Sequence, residues 1–357
     1  MSLILSIFFA VLFFSVLIFV HELGHFVAAK LSGVQVNEFA IFMGPALFKW
    51  RRGETLYSIR TIPIGGYCAM EGEDTDTDSP KSFQKAAWWK RLIILVAGSF
   101  MNFVTGVLII AIILAFQPAY ATTEISEIAS WSEVSQGAGL QVGDEILEFN
   151  GEKMRIYEDF SLATILLPDG QYDVLVRRNG EEVLLRDVSM VRKPVDDGNG
   201  GETLLYGISF GIKDTTPQSI PGRILPTAFN YVKSVFLSLR MLLTGQAGLQ
   251  DMTGPVGIVQ MMSESAAAAE STGGAVLNML YFGGFIAINL AVMNLLPIPA
   301  LDGGRVLALV LVTAIEGITR KKINPKYEGY IHAAGMILLL GLMAVVMFKD
   351  IFAIFKG

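Results

Sequence analysis

An uncharged apolar run from Leu3 to Val20 leads straight into His21-Glu22-Leu23-Gly24-His25. About 20 apolar residues are what a helix needs to cross a bilayer's hydrocarbon. Inside hydrocarbon only helices and closed barrels satisfy their own backbone. Leu3 to Lys30 is therefore read as a transmembrane helix that carries His-Glu-x-x-His with it. On a helix, His21 and His25 stand one turn apart on the same face. Neutral imidazoles at that spacing can hold one Zn²⁺, and Glu22 beside them can act as the base toward a metal-activated water. The motif is short, and polar residues ending a span at the headgroups would read the same. Three ionisable groups in one turn at membrane depth are costly, roughly 2.5–3.5 kcal/mol for a charged one at mid-helix. A third ligand elsewhere in the chain would decide the matter.

Only 17% of the residues are charged, against roughly 25% in soluble domains, and mean hydropathy is +0.52. This is the composition of a membrane protein. The net charge of −6 gives no case for nucleic acid, and one cysteine, Cys68, makes no internal disulfide. No basic region or small-residue cleavage site flanks the first apolar run, so that segment is expected to stay in the protein.

Further spans are expected at Leu92–Phe116, at Ala275–Leu296 and from Tyr330 to Phe348, about four in all. Val306–Ile318 is too short to span and reads as a continuation of the third unit or an interfacial helix. Basic residues cluster between spans one and two (Lys30 through Arg91) and between spans three and four (Arg305, Arg320, Lys321, Lys322, Lys326). The positive-inside rule makes both segments cytoplasmic. The N-terminus and the 117–274 segment then lie outside.

Residues 36–73 alternate in the strand manner around Gly44-Pro45 and Pro63-x-Gly65-Gly66-Tyr67. They are too apolar for an ordinary loop. A β-hairpin tucked beside the first helix is expected, with a small peripheral β subdomain as the plainer reading. Residues 74–91, with Phe83, Trp88, Trp89 and interleaved lysines, read as an interfacial cytoplasmic segment. Within span two, Ala97-Gly98-Ser99 suits close packing, and Asn102 needs a partner, in packing or near the metal site.

Residues 121–212 have soluble composition. Gly137-Ala138-Gly139-Leu140-Gln141-Val142-Gly143-Asp144 is a glycine turn before a strand, Tyr157–Leu166 is a candidate helix, and Asn179-Gly180 is a strong hairpin signal. The pattern resembles a PDZ domain of the bacterial type. Such domains bind extended peptide by strand addition; a fixed cover over the membrane site is the alternative. Residues 221–274 follow as an amphipathic helix (221–244) and linker.

The third apolar unit ends Asn294-Leu295-Leu296-Pro297-Ile298-Pro299-Ala300-Leu301-Asp302-Gly303-Gly304. The prolines break the helix where the apolar sequence stops. Alone, Asp302 reads as a cap for the next helix. With His21 and His25 at the matching depth, a His-His-Asp zinc site with water in the fourth position is the better reading.

H-E-L-G-H in the first span, N-x-x-P-x-P-x-L-D-G-G near the end and a PDZ-like insert between spans two and three resemble the site-2 protease family, in its bacterial RseP-type form with one PDZ domain. Phe42-Met43-Gly44-Pro45, Pro63-x-Gly65-Gly66-Tyr67 and Gly254-Pro255-Val256-Gly257-Ile258 match as well. Ser99 departs from the family, which often has proline there. The resemblance implies a polytopic α-helical membrane protein with a membrane-associated β-hairpin region and an inserted extracytoplasmic PDZ-like α+β domain. It implies an intramembrane metallopeptidase of the bacterial cytoplasmic membrane with one Zn²⁺ per chain on His21, His25 and Asp302 and Glu22 as the catalytic base. Asn294, Pro297, Pro299, Gly65, Gly66 and Tyr67 fall to substrate binding. The substrates implied are single-span proteins already trimmed by another protease, such as anti-sigma factors, and leftover signal peptides. A catalytically inactive membrane adaptor that presents its PDZ-like domain is the alternative. A metal transporter is weaker, because span four offers only His332.

Overall fold

The first apolar run, the His-Glu-x-x-His turn and the residues after it form one unbroken helix, α1 (Leu3–Ser32). The computed structural model describes residues 3–73, 77–134, 139–196, 201–269, 271–320 and 326–356. Gly137 and Ala138 of the glycine turn, and Lys321 and Lys322, lie outside those residues. After α1 come β1 (Val36–Arg52) and β2 (Thr55–Met70), then α2 (Trp88–Phe116). α2 begins a turn ahead of its apolar run, at Trp88-Trp89. Its Lys90 ammonium donates to the Ser32 carbonyl at 3.0 Å, a cation on the free carbonyl end of α1.

The middle of the chain holds β3 (Ala119–Ile128), β4 (Glu145–Phe149), β5 (Glu152–Lys153), α3 (Tyr157–Thr164), β6 (Gly170–Arg178), β7 (Glu181–Met190), β8 (Lys193–Asp196), β9 (Glu202–Leu205) and β10 (Ile208–Asp214). There follow α4 (Pro221–Leu243), α5 (Pro255–Ala267), α6 (Thr272–Asn294), α7 (Asp302–Thr319) and α8 (Lys326–Lys356). Among the described residues, four helices are long and apolar enough to cross a membrane, over Val11–Ser32, Trp88–Phe116, Thr272–Asn294 and Gly329–Phe352. The protein is a polytopic membrane protein with added sheet regions. α7 is separate from α6, since Pro297 and Pro299 stand between them.

Two units make up the chain: residues 1–109 with 235–357, and residues 110–234. In the first, β1 and β2 pair antiparallel, but not as a plain hairpin. Positive φ at Phe42 (71°), Gly44 (86°) and Gly65 (79°) bends both strands. As a result Glu38–Ile41 is flanked on both sides, by Leu56–Ile59 and by Gly66–Ala69. Gly66–Met70 is then an outer strand with no pairing on its other side among the described residues. A core of Ala28, Ala29, Phe39, Cys68, Ile94, Leu95 and Leu309 joins α1, the hairpin, α2 and α7.

The second unit carries a six-stranded sheet, ordered β10-β3-β4-β6-β7 with β5 beside β4. Asn179 and Gly180 have φ of 52° and 88°, the two left-handed positions a tight β6–β7 turn requires. The fully buried Asp144 holds the glycine turn. It accepts from Gln141 N at 2.8 Å and takes a bidentate pair from Arg178 at 2.7 and 2.8 Å. A bidentate charge-assisted pair supplies both energy and direction. Phe149, Phe160, Val174 and Val176 are among the residues that fill the core beneath the sheet.

Candidate active site

Helical spacing puts His21 and His25 on one face of α1, with ring centroids 4.8 Å apart. Their Nε2 atoms are 3.2 Å apart. Asp302, the first residue of α7, brings Oδ2 to 3.1 Å from His21 Nε2 and 3.3 Å from His25 Nε2. These three form the one cluster with metal-ligand chemistry among the described residues.

Backbone folding after α6 delivers Asp302 to this point. Leu295 caps α6, and Ile298 N bonds the Leu296 carbonyl at 2.7 Å, a tight turn. Gly303 and Gly304 are buried. A Cβ at Gly304 would meet the Ile298 carbonyl carbon at 2.8 Å, and one at Gly303 would overlap the Leu295 and Leu296 carbonyls. Only glycine lets the broken segment fold back on the start of α7. The turn is held from behind by α8, where His332 Nδ1 accepts from Ala300 N at 3.0 Å.

The hydrogen bonds around the three donor atoms fit a bound cation. His25 Nδ1 donates to the Ile94 carbonyl at 2.8 Å, which leaves a lone pair on its Nε2. Asp302 Oδ2 is buried and has no hydrogen-bond partner. Two imidazolium rings in contact would satisfy it but would repel each other. Two imidazole lone pairs and a carboxylate oxygen converging this closely also repel unless a cation lies among them. Edges of 3.1, 3.2 and 3.3 Å match the roughly 3.3 Å expected between tetrahedral ligands at Zn distances near 2.0 Å. The borderline N/O donor set suits zinc.

Glu22 lies beside the cluster and outside it. The Cys68 backbone on β2 lies near its carboxylate. Gly66 packs against it, so that a Cβ there would sit 3.4 Å from Glu22 Cγ and 3.0 Å from the Ala40 carbonyl. The outer strand Gly66–Met70 thus borders Glu22 directly. Tyr67 is turned to the hairpin's polar network: it accepts from Arg60, which also donates to Glu38 at 2.7 Å and to the Gly44 carbonyl at 2.6 Å. Gly65 packs against Met43.

Asn294 closes α6, half-buried, and its side chain makes no hydrogen bond to another described residue. Pro297 is exposed and Pro299 packs against Gly335 of α8. The structure brings His21, Glu22, His25 and Asp302 together with Gly66. It ties Tyr67 to Arg60 instead, and holds Pro299 against α8.

Three further neighbours complete the surroundings of the cluster. Gly98 on α2 is the notch that seats both rings, because a Cβ there would come within 2.8 Å of His21 Cε1 and of His25 Cε1. Ser99 is fully buried beside it, and its Oγ has no hydrogen-bond partner. Arg305, one turn into α7, forms a salt bridge with Glu73 just after β2.

A model described as Peptidase family M50 matches residues 9–342. The chain belongs to peptidase family M50. M50 enzymes, the site-2 proteases, are membrane-embedded zinc proteases. A Clostridium perfringens protein named as a zinc metalloprotease is 38% identical over 350 residues, covering 97% of this chain and 98% of the relative. A Clostridium acetobutylicum protein with the same kind of name is 36% identical over 344 residues, 96% of each. The Bacillus subtilis protein named regulator of sigma-W protease RasP is 29% identical over 426 residues, covering 97% of this chain and 98% of the relative.

In the second unit a groove of about 470 Å³ lies between α3 and β10. Phe160 and Thr164 form one wall, Ile208 and Phe210 the other, and Arg192 and Tyr206 line it as well. β10 ends the sheet order, so its outer edge faces this groove unpaired among the described residues.

Proposed function

We propose that this M50 chain is an intramembrane zinc endopeptidase that cuts single-span membrane proteins within or beside their transmembrane segment. One observation carries the reading: His21, His25 and Asp302 converge on one point, and Glu22 stands next to them on a helix apolar enough to span. Zinc held there would lower the pKa of water and polarise the scissile carbonyl. Glu22 would take the proton from the attacking water and pass it to the leaving amine.

A helical substrate hides its carbonyls in its own hydrogen bonds, so it must be unwound first. The free edge of Gly66–Met70 offers a strand to pair with, and it runs past Glu22. Strand addition would hold the substrate extended at the base. Asn294 has an uncommitted amide for the substrate backbone, and the Pro297–Pro299 break keeps that segment from closing into helix.

The sigma-W name of one relative supports regulators of sigma factors as substrates. Remnant signal peptides, with the same single-span chemistry, fit the same site. Prior trimming by another protease would leave such substrates short outside the membrane. Residues 121–212 are proposed as an extracytoplasmic PDZ-like domain. The unpaired β10 edge and its groove favour an extended peptide there. The distribution of basic residues supports an N-terminus outside the cytoplasmic membrane.

The test is co-expression with tagged single-span candidates, natural chain against Glu22→Gln. Cleavage should vanish while zinc content stays the same, because Glu22 is not a ligand. Undiminished cleavage by the Gln variant removes the base assignment. Absence of cleavage by the natural chain, across trimmed candidates, favours the adaptor instead.

A further inference from the structure

We infer that Asn102 is the positioning residue for His21, fixing which ring nitrogen faces the metal. Asn102 lies on α2 and is 1% exposed. Its amide nitrogen sits 3.3 Å from His21 Nδ1. Its Oδ1 is buried and has no hydrogen-bond partner.

The two histidines are treated differently by their surroundings. His25 has a carbonyl, Ile94 O, at Nδ1. A carbonyl only accepts, so His25 carries its proton on Nδ1 and offers Nε2 as a ligand. His21 has an amide, which can present either a donor or an acceptor after a half-turn about its last bond. With Nδ2 toward the ring, His21 must hold its proton on Nε2, the atom facing Asp302. With Oδ1 toward the ring, the proton sits on Nδ1 and Nε2 is free to bind metal. Only the second arrangement matches His25. The orphaned Oδ1 is the acceptor His21 needs. Partners of this kind typically set metal affinity by 10- to 100-fold.

An aspartate at 102 keeps an acceptor of the same shape, whereas a leucine keeps the volume and removes it. Purified full-length Asn102→Leu, Asn102→Asp and natural chain would be compared for Zn²⁺ affinity by chelator competition, with no substrate present. The Leu variant should bind zinc about 10- to 100-fold more weakly, and the Asp variant should stay close to natural. Equal affinity in the Leu variant, or an Asp variant as weak as the Leu, overturns the assignment. A second readout needs no variant. The chain has three histidines, so ¹⁵N spectra of the zinc-loaded natural protein resolve each ring. His21 should show a protonated Nδ1. A bare Nδ1 overturns the proposal even if Asn102→Leu does not fold.

This inference rests on the metal-site reading, and the two fail differently. If the natural chain binds no zinc, the metal site falls. If it binds zinc and Asn102 makes no difference, only the positioning role falls.

Discussion

Gly98→Ala is the substitution whose outcome runs against ordinary helix energetics. In an exposed helix, alanine in place of glycine gains about 1 kcal/mol. The added methyl would, however, stand 2.8 Å from His21 Cε1 and from His25 Cε1. Ordinary contact begins near 3.4 Å, so both rings must withdraw by about 0.6 Å, and His25 Nε2, nearer still, by more. The rings cannot swing freely, because His25 is pinned to the Ile94 carbonyl and His21 lies against the Asn102 amide. Displacements approaching 1 Å in a reacting constellation cost on the order of 10²-fold in rate. Gly98→Ala should therefore lose most of its zinc affinity and about 10²-fold or more of its cleavage rate, and its zinc-stripped form should unfold somewhat earlier than the natural chain, because the pinned rings leave the methyl overpacked. Chelator competition and thermal unfolding of the detergent-purified protein read the two effects separately. Natural zinc affinity in Gly98→Ala would show that the notch does not seat the rings.

Two other perturbations follow from the hairpin. Burial works against the ionised Glu38 carboxyl, but hydrogen bonds from Arg60, Ser58 and Tyr67 outweigh it and hold it below the usual carboxylate range. Burial and the Glu38 carboxylate push Tyr67 up to about 12. Glu38's contribution is present above its unfolded value and is lost as pH falls below it, whereas Tyr67's is full below its usual 10.0 and is lost as pH rises toward about 12. Hairpin stability should be flat near neutrality, and Tyr67→Phe should remove the alkaline limb, read by tyrosinate absorbance; a natural chain whose tyrosines all ionise at ordinary pH contradicts this. Breaking the Arg305–Glu73 bridge by Arg305→Glu should lower cleavage, and adding Glu73→Arg should restore much of it; a double variant as poor as the single one would mean the pair does not hold α7 to the hairpin.

Local patterns made some of this fold readable and long-range ones did not. The helical spacing of His21 and His25 is a one-turn signal, and Asn179-Gly180 is a two-residue one. The alternation of residues 36–70 announced strands. It did not announce that Glu38–Ile41 would be flanked on both sides, because the bend uses Phe42 in a left-handed conformation that no turn rule assigns to phenylalanine. Asp302 was ambiguous by itself: the sequence allowed a helix cap, but the cap position of α7 is Leu301, and Asp302, the first helical residue, meets both histidines. Gly98 reads as a small residue in a span, and only the packed structure says what it faces. Glu73 and Arg305 come together from opposite ends of the chain, and pairs of that kind leave no periodic trace.

The division of the metal cluster between α1 and α7 also sets a schedule. Chains are made from the N-terminus, and early segments fold before late ones exist. The two histidines and Glu22 are made before the sheet unit, and Asp302 only after it. Until then the nascent protein would hold the proposed base and two of the three proposed ligands, without the carboxylate that completes the set. Under the roles proposed above, a newly made copy would stay inert until Asp302 has been made.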